Sequence, residues 1–218
     1  MFKNRFKKFG GEKVDDIIEY TKEYIKNNPG VTISIGCDSI QRRKRTVYAC
    51  TVMFHNKDVK NGAHVLFFRE NIDKVRDNHE RLHKEAEYAL KLAEFFHENL
   101  VGSYERSDIS EIERKRYKFH IGQCTGEYSH VLYNNVDNFI KHITLTDHDK
   151  NFEYKLVDIH IDFNPFEGTM NARGMSKNKS NAAYNAYVPW MKGMGYRVYV
   201  KPDAAASTSA ADLLCQES

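Results

Sequence analysis

The stretch Val31-Thr32-Ile33-Ser34-Ile35-Gly36-Cys37-Asp38-Ser39 alternates apolar with small or polar side chains and closes on a carboxylate. A period of two marks a strand with unlike faces. Val31, Ile33, Ile35 and Cys37 share one face, while Thr32, Ser34, Gly36 and Asp38 share the other. Asp38 therefore ends a buried strand on its small, polar side. A carboxylate there is costly unless a cation or hydrogen-bond donors compensate it, so Asp38 requires partners.

Toward the amino terminus, residues 2–8 are basic and aromatic, and Val14, Ile17, Ile18, Thr21, Tyr24 and Ile25 then recur at helical spacing. This predicts a helix over 13–28, stopped by Asn28-Pro29-Gly30. Downstream, extended segments over 46–54 and 63–69 follow the 32–38 strand through turn-like residues at 41–44 and 56–62, a pattern that predicts an antiparallel meander. The period becomes helical over 78–99, where Leu82, Ala86, Ala89, Ala93, Phe96 and Leu100 form a stripe suited to lying on the sheet.

Residues 103–154 are polar and irregular, with helix-like pieces near 111–118 and 131–142, and read as an insertion before the fourth strand. The alternating run 156–163 predicts that strand. A helix near 180–191, a strand over 196–200 after Gly193 and Gly195, and an alanine-rich helix beyond Pro202 complete the chain. The order predicts one α/β domain spanning 1–218, with a mixed sheet flanked by helices.

A chain of 218 residues is long enough to bury one sizeable core and carry an insertion. Its formal charge of +3 is too small to identify a nucleic-acid binder, so local clusters must carry that argument. Cys37, Cys50, Cys124 and Cys215 show no disulfide-framework spacing, and no apolar leader or run of about 20 apolar residues is present. A reducing cytoplasm is the expected location.

Asp158, His160 and Asp162 alternate with Val157, Ile159, Ile161 and Phe163, so Asp162 also ends a strand on a polar side. If the two strands are parallel neighbours, both carboxylates emerge at one carboxyl edge, where sites in α/β sheets form. At about 100° per residue, Glu85 falls inside the stripe led by Leu82 and is expected to face the sheet, whereas Glu87 points away. Asp212 follows Ala204, Ala205, Ala206, Ala210 and Ala211, small residues that permit close approach of a helix to the sheet edge.

Several carboxylates around one point repel each other unless divalent cations neutralise them, and hard oxygen donors select magnesium or manganese over zinc. Two such ions about 3.5–4 Å apart can activate a water and steady the leaving oxygen of a phosphodiester. The basic stretch 171–180, with Arg173, Lys177 and Lys179, starts shortly beyond Asp162 and runs into a helix start where phosphate oxygens are welcome. Lys201 precedes the last helix, and Arg42, Arg43, Lys44 and Arg45 form another cluster after Asp38.

Ile35-Gly36-Cys37-Asp38-Ser39, His160-Ile161-Asp162-Phe163-Asn164, the Lys179-Ser180 helix start, and Gly195-Tyr196-Arg197-Val198-Tyr199-Val200-Lys201-Pro202 with Ala210-Ala211-Asp212 together resemble the YkuK-type ribonuclease H-like family of bacterial and phage proteins. The resemblance covers most of the chain except roughly 103–154. It implies a ribonuclease H-like mixed sheet and a site of Asp38, Glu85, Asp162 and Asp212 with bound Mg2+ or Mn2+. Cys37 and Ile40 stand where the family usually has a threonine and a glutamine, a departure that bears on substrate contacts.

The expected function is a metal-dependent nuclease acting on RNA or DNA, with Arg173, Lys177, Lys179 and Lys201 holding phosphates. Nothing resembles a base-reading motif, so preference should concern strand type or shape. One alternative is a non-catalytic nucleic-acid-binding module on the same fold. Another is a zinc metallopeptidase, because His79-Glu80-Arg81-Leu82-His83 matches H-E-x-x-H, although charged Arg81 and the lack of a clear third ligand argue against it. His120, Cys124 and His130 match no recognised ligand set. Bland readings also exist: Asp38 as a turn cap, Asp162 bonded to the Asn164-Pro165 turn, Asp212 as an exposed terminal residue, Glu85 paired with His83 or Lys84, and Cys37 as a core residue.

Overall fold

The strand built on residues 31–39 lies inside the sheet and dictates what packs on either side of it. The computed structural model describes residues 2–28, 31–56, 62–101, 155, 157–165 and 180–216. In chain order these form β1 (Lys7–Lys8), α1 (Ile17–Asn27), β2 (Thr32–Gln41), β3 (Arg45–His55), β4 (Ala63–Asp73) and α2 (Asn78–Val101). Beyond residue 155 come β5 (Asp158–Ile161), α3 (Asn181–Gly193), β6 (Arg197–Tyr199), a π-helical turn (Ala206–Ala211) and α4 (Asp212–Gln216). The predicted pieces at 111–118 and 131–142, with His120, Cys124 and His130, lie outside the described residues.

The six strands are ordered β1-β4-β3-β2-β5-β6. The β1-β4, β4-β3 and β3-β2 pairs are antiparallel, and β5 joins β2 and β6 in parallel. The expected α/β mixed sheet is therefore present, with the meander as its antiparallel half. On one face Ile33, Ile35, Cys37, Cys50, Val52, Ile159 and Ile161 pack with Ile17, Ile25, Leu82, Ala86, Ala93, Val188 and Met191 of the three long helices. On the other, Ala49 and Phe67 pack with Ala211, Leu214 and Cys215.

Several boundaries differ from the sequence expectation. Helix α1 starts at Ile17 rather than 13, because Lys13 forms a β-bridge with Lys7 and the Val14 N–H donates to Phe6 O (2.9 Å). Asp16 caps the helix, accepting from Ile18 N (3.0 Å) and Glu19 N (3.3 Å). Strand β1 was not anticipated, since two lysines carry no hydrophobic alternation. Strands β5 and β6 are shorter than the predicted 156–163 and 196–200, and β5 is buried along its whole length. The alanine-rich helix begins as a π-helical turn rather than a regular α-helix.

Candidate active site

The parallel register pairs Gly36 with His160 and Cys37 with Ile161, so Asp38 and Asp162 are the next residues along adjacent strands. Asp162 lies just past the end of β5, as expected, whereas Asp38 does not end its strand: β2 runs on to Gln41, with Asp38 paired to Ala49 of β3 inside the ladder. Gly36 lets the π-helical turn close over this edge, where an added Cβ would stand 2.5 Å from the Ala206 carbonyl carbon. Thr51 Oγ1 donates to Ala206 O (2.7 Å), and the Ala206 N–H donates to His160 Nδ1 (3.1 Å). Thr208 on the same turn donates its hydroxyl to Asp162 Oδ1 (3.1 Å).

Glu85 arrives from α2 on the opposite face and is 1% exposed. Its Oε1 accepts from Ser39 Oγ (2.6 Å) and Arg81 Nη1 (2.8 Å). The partner is thus Arg81, one helical turn earlier, rather than His83 or Lys84. Arg81 Nη1 also reaches Ser39 O (3.0 Å) and Ser39 Oγ (2.8 Å). The Ser39 N–H in turn donates to Asp38 Oδ1 (2.8 Å).

These carboxylates act on each other electrostatically. Burial above all, with added repulsion from Asp162 and Asp212, raises Asp38 to about 6 against the pull of the Ser39 N–H and Arg81. Burial and the charge of Asp38 raise Glu85 to about 8, opposed by Arg81 and the Ser39 hydroxyl. Among the described residues, hydrogen bonds and ion pairs reach only Oδ1 of Asp38, Oε1 of Glu85 and Oδ1 of Asp162. Each of the three keeps a second oxygen to which no described donor is directed, and all are hard donors of the kind Mg2+ and Mn2+ take. The donor type is one a divalent ion takes, but among the described residues no group of three or more His, Cys, Asp or Glu side chains is placed to hold a metal ion.

The other predicted site residues fare differently. Asp212 opens α4, is exposed, and accepts from Gln216 Nε2 on both carboxylate oxygens (3.0 Å each). It stays within electrostatic reach of Asp38. Lys201 Nζ lies 2.9 Å from Asp162 Oδ1, so its first partner is a site carboxylate rather than a free surface. Arg173, Lys177 and Lys179 lie outside the described residues. Arg42 from the second basic cluster donates to Cys215 O (3.1 Å) and Gln216 O (3.0 Å), pinning α4 to the β2-β3 turn.

His79, Glu80 and His83 are exposed on α2; Glu80 pairs with Lys84 (2.8 Å) and His83 packs on Tyr187 (5.1 Å between ring centroids). Cys37 is a buried core residue with its Sγ 3.5 Å from that of Cys50. Sequence reasoning missed Ser39, Arg81 and Thr208. The i, i+4 spacing of Arg81 and Glu85 was a usable signal for one of them.

Among the described residues no helix is long and apolar enough to cross a membrane. A family model described as Ribonuclease H-like matches residues 12–137, a span that holds Asp38 and Glu85 and stops short of Asp162. No curated protein and no solved structure matches the chain at a significant level.

Proposed function

The chain belongs to the ribonuclease H-like family, which points to a nuclease or nucleic-acid-related function, and from that premise we propose a divalent-metal-dependent nuclease that hydrolyses phosphodiester bonds of RNA or DNA. The observation that supports this reading is that Asp38 and Asp162 stand side by side on neighbouring strands, with Glu85 near enough to feel the charge of both. Asp38 and Asp162 would be the central ligands, with Glu85 and Asp212 completing the set. Bound Mg2+ or Mn2+ would supply the positive charge that lets these groups ionise together and the Lewis acidity that phosphodiester hydrolysis uses.

The chain's own residues supply the rest. Ser39 and Thr208 orient two of the carboxylates by hydrogen bonds from opposite faces of the sheet. Lys201 sits beside Asp162 as a cation within reach of a phosphate drawn to the edge. Arg173, Lys177 and Lys179 are proposed phosphate contacts on sequence grounds. The quoted sequence stretches support a YkuK-type assignment within the family, and a cytoplasmic enzyme of a bacterium or phage is the corresponding expectation.

One observation favours a second reading, a nucleic-acid-binding module without turnover: the carboxylates do not form a closed ligand group among the described residues. Cleavage of RNA, DNA and hybrid duplexes with Mg2+ or Mn2+ separates the two. A nuclease cuts as wild type and not as Asp38→Asn, while both bind. Binding without cutting by the folded wild type supports the module and ends the nuclease reading.

A further inference from the structure

The turn between β2 and β3 is Arg42-Arg43-Lys44-Arg45, four cations where a tight hairpin ordinarily carries Gly, Asn or Asp. The Arg42 N–H donates to Arg45 O (2.8 Å), which closes the turn and leaves Arg43 and Lys44 at its tip. The segment joining β4 to α2 lies against it: Gln41 Nε2 donates to Val75 O (2.6 Å), and the Val75 N–H donates to Thr46 Oγ1 (2.9 Å). This clamp buries Val75 and sets its exposed neighbours Lys74 and Arg76 beside the hairpin. Arg43, Lys44, Arg45, Lys74 and Arg76 are all exposed, and among the described residues none of them forms an ion pair. Lys8, Lys84 and Lys91 instead each meet a glutamate four residues away. The acids of the two turns are Asp73, paired in register with Arg45, and Asp77, whose carboxylate accepts from Glu80 N (2.8 Å). Cations gathered this way repel each other unless anions from outside neutralise them.

We propose that the β2-β3 turn and residues 74–76 form one surface that grips the phosphodiester backbone of a nucleic acid through Arg43, Lys44, Lys74 and Arg76, without needing a divalent ion. The inference rests on the nucleic-acid half of the proposed function and names where that partner is held. Arginine forks match phosphate oxygens two at a time, and lysine adds a point charge. Arg43 is five residues past Asp38, so within about 18 Å of it. A strand with one phosphate per about 3.4 Å of axis covers that span in about five steps. Contacts to the backbone carry no base sequence.

Fluorescence anisotropy of a labelled RNA strand, DNA strand and RNA-DNA hybrid, measured in EDTA between about 50 and 200 mM salt, tests this, with thermal melts to confirm folding. Arg43→Ala with Lys44→Ala should weaken binding about ten-fold or more. It should also flatten the slope of log affinity against log salt by about 1.4 to 1.8, the share of two phosphate contacts. Lys74→Ala with Arg76→Ala should do the same. Lys26→Ala with Lys192→Ala removes equal charge from the last turns of α1 and α3 and should stay within about two-fold of wild type. Unchanged affinity and slope in either turn variant overturns the proposal, as does equal weakening by the Lys26 and Lys192 pair or binding that appears only with Mg2+. Wild type that binds none of the probes, with or without Mg2+, removes the nucleic-acid reading itself. Capture of phosphatidylserine vesicles in their place would assign the turns to a membrane surface.

Discussion

Gly36 and Ala206 are packed backbone to backbone: a Cβ on the glycine would stand 2.5 Å from the Ala206 carbonyl carbon and 2.5 Å from the Ser207 nitrogen. Neither atom belongs to a flexible side chain, so Gly36→Ala must push the π-helical turn off the sheet. Overpacking of this kind costs about 1–3 kcal/mol or more. The variant should melt lower, and it should also bind Mn2+ more weakly, since Thr208 on that turn orients Asp162. A melting temperature equal to wild type would show that the turn moves freely and does not set the site.

Asp38→Asn should separate stability from function. The native carboxylate is held above its ordinary value by burial and by neighbouring acids, so ionising it opposes folding in metal-free protein. Replacing it by a neutral amide removes that repulsion. Metal-free Asp38→Asn should therefore be more stable than wild type near neutral pH, by on the order of 1 kcal/mol, while cleavage falls to the level seen without metal. Denaturant melts and a cleavage assay on one preparation check both, and a destabilised Asp38→Asn would place its role in structure.

The pH dependence of metal-free stability follows with a definite sign. Asp38 and Glu85 have folded-state pKa values raised to about 6 and about 8 from reference values of 3.8 and 4.5. Their protonated forms are favoured in the fold, so this stabilisation is complete below the reference values and is lost as pH rises through about 6 and then about 8. Half-buried His97, lowered to about 4 chiefly by desolvation, acts in the opposite sense and destabilises the fold as pH drops below its reference value of 6.5. The contribution of Glu85 is isolated as the difference between wild type and Glu85→Gln, which should grow in favour of the variant from pH 5 to pH 8.5. Saturating Mn2+ should stabilise wild type more at the alkaline end, because ligation requires ionised carboxylates. Equal stabilisation by Mn2+ across that range would rule out these carboxylates as its ligands.

Zinc gives a contrasting expectation. His79, Glu80 and His83 are exposed, Glu80 is engaged by Lys84, and His83 lies against Tyr187. A helix that presents its imidazoles with no third ligand among the described residues holds zinc weakly. Elemental analysis of the purified protein should find no stoichiometric zinc that His83→Ala removes. Zinc retained by wild type and lost in that variant would reinstate the peptidase reading.

The closeness of Asp38 and Asp162 was legible because alternation places each residue on a face without any tertiary information and parallel pairing then sets Asp38 beside the end of β5, although β2 runs on to Gln41 instead of stopping at Asp38. The inward turn of Glu85 followed from helical period alone. What the sequence did not disclose depends on register between distant elements. Ser39 reads as an ordinary small residue until α2 is laid beside β2, and Thr208 as one more polar residue until the π-helical turn is lowered onto Gly36. Lys201 reads as a phosphate ligand because its charge is visible and its ion pair with Asp162 is not. Strand β1 stayed hidden because backbone pairing at an edge asks little of side chains.

Asp212 should prove the least demanding of the four acids. It is exposed at the start of α4, and Gln216, one turn later, donates to both of its oxygens at 3.0 Å. To take a cation it must exchange a solvated hydrogen bond worth about 1 kcal/mol or less, while its charge already acts on Asp38 from where it stands. Asp212→Asn should then lower cleavage by about ten-fold, the order expected when one charge-assisted contact worth about 1.4 kcal/mol is lost, whereas Asp38→Asn abolishes it. Gln216→Ala frees both oxygens and should leave cleavage within about two-fold of wild type. Complete inactivation by Asp212→Asn, with Mn2+ affinity falling as far as in Asp38→Asn, would instead make α4 swing onto the edge as an equal ligand.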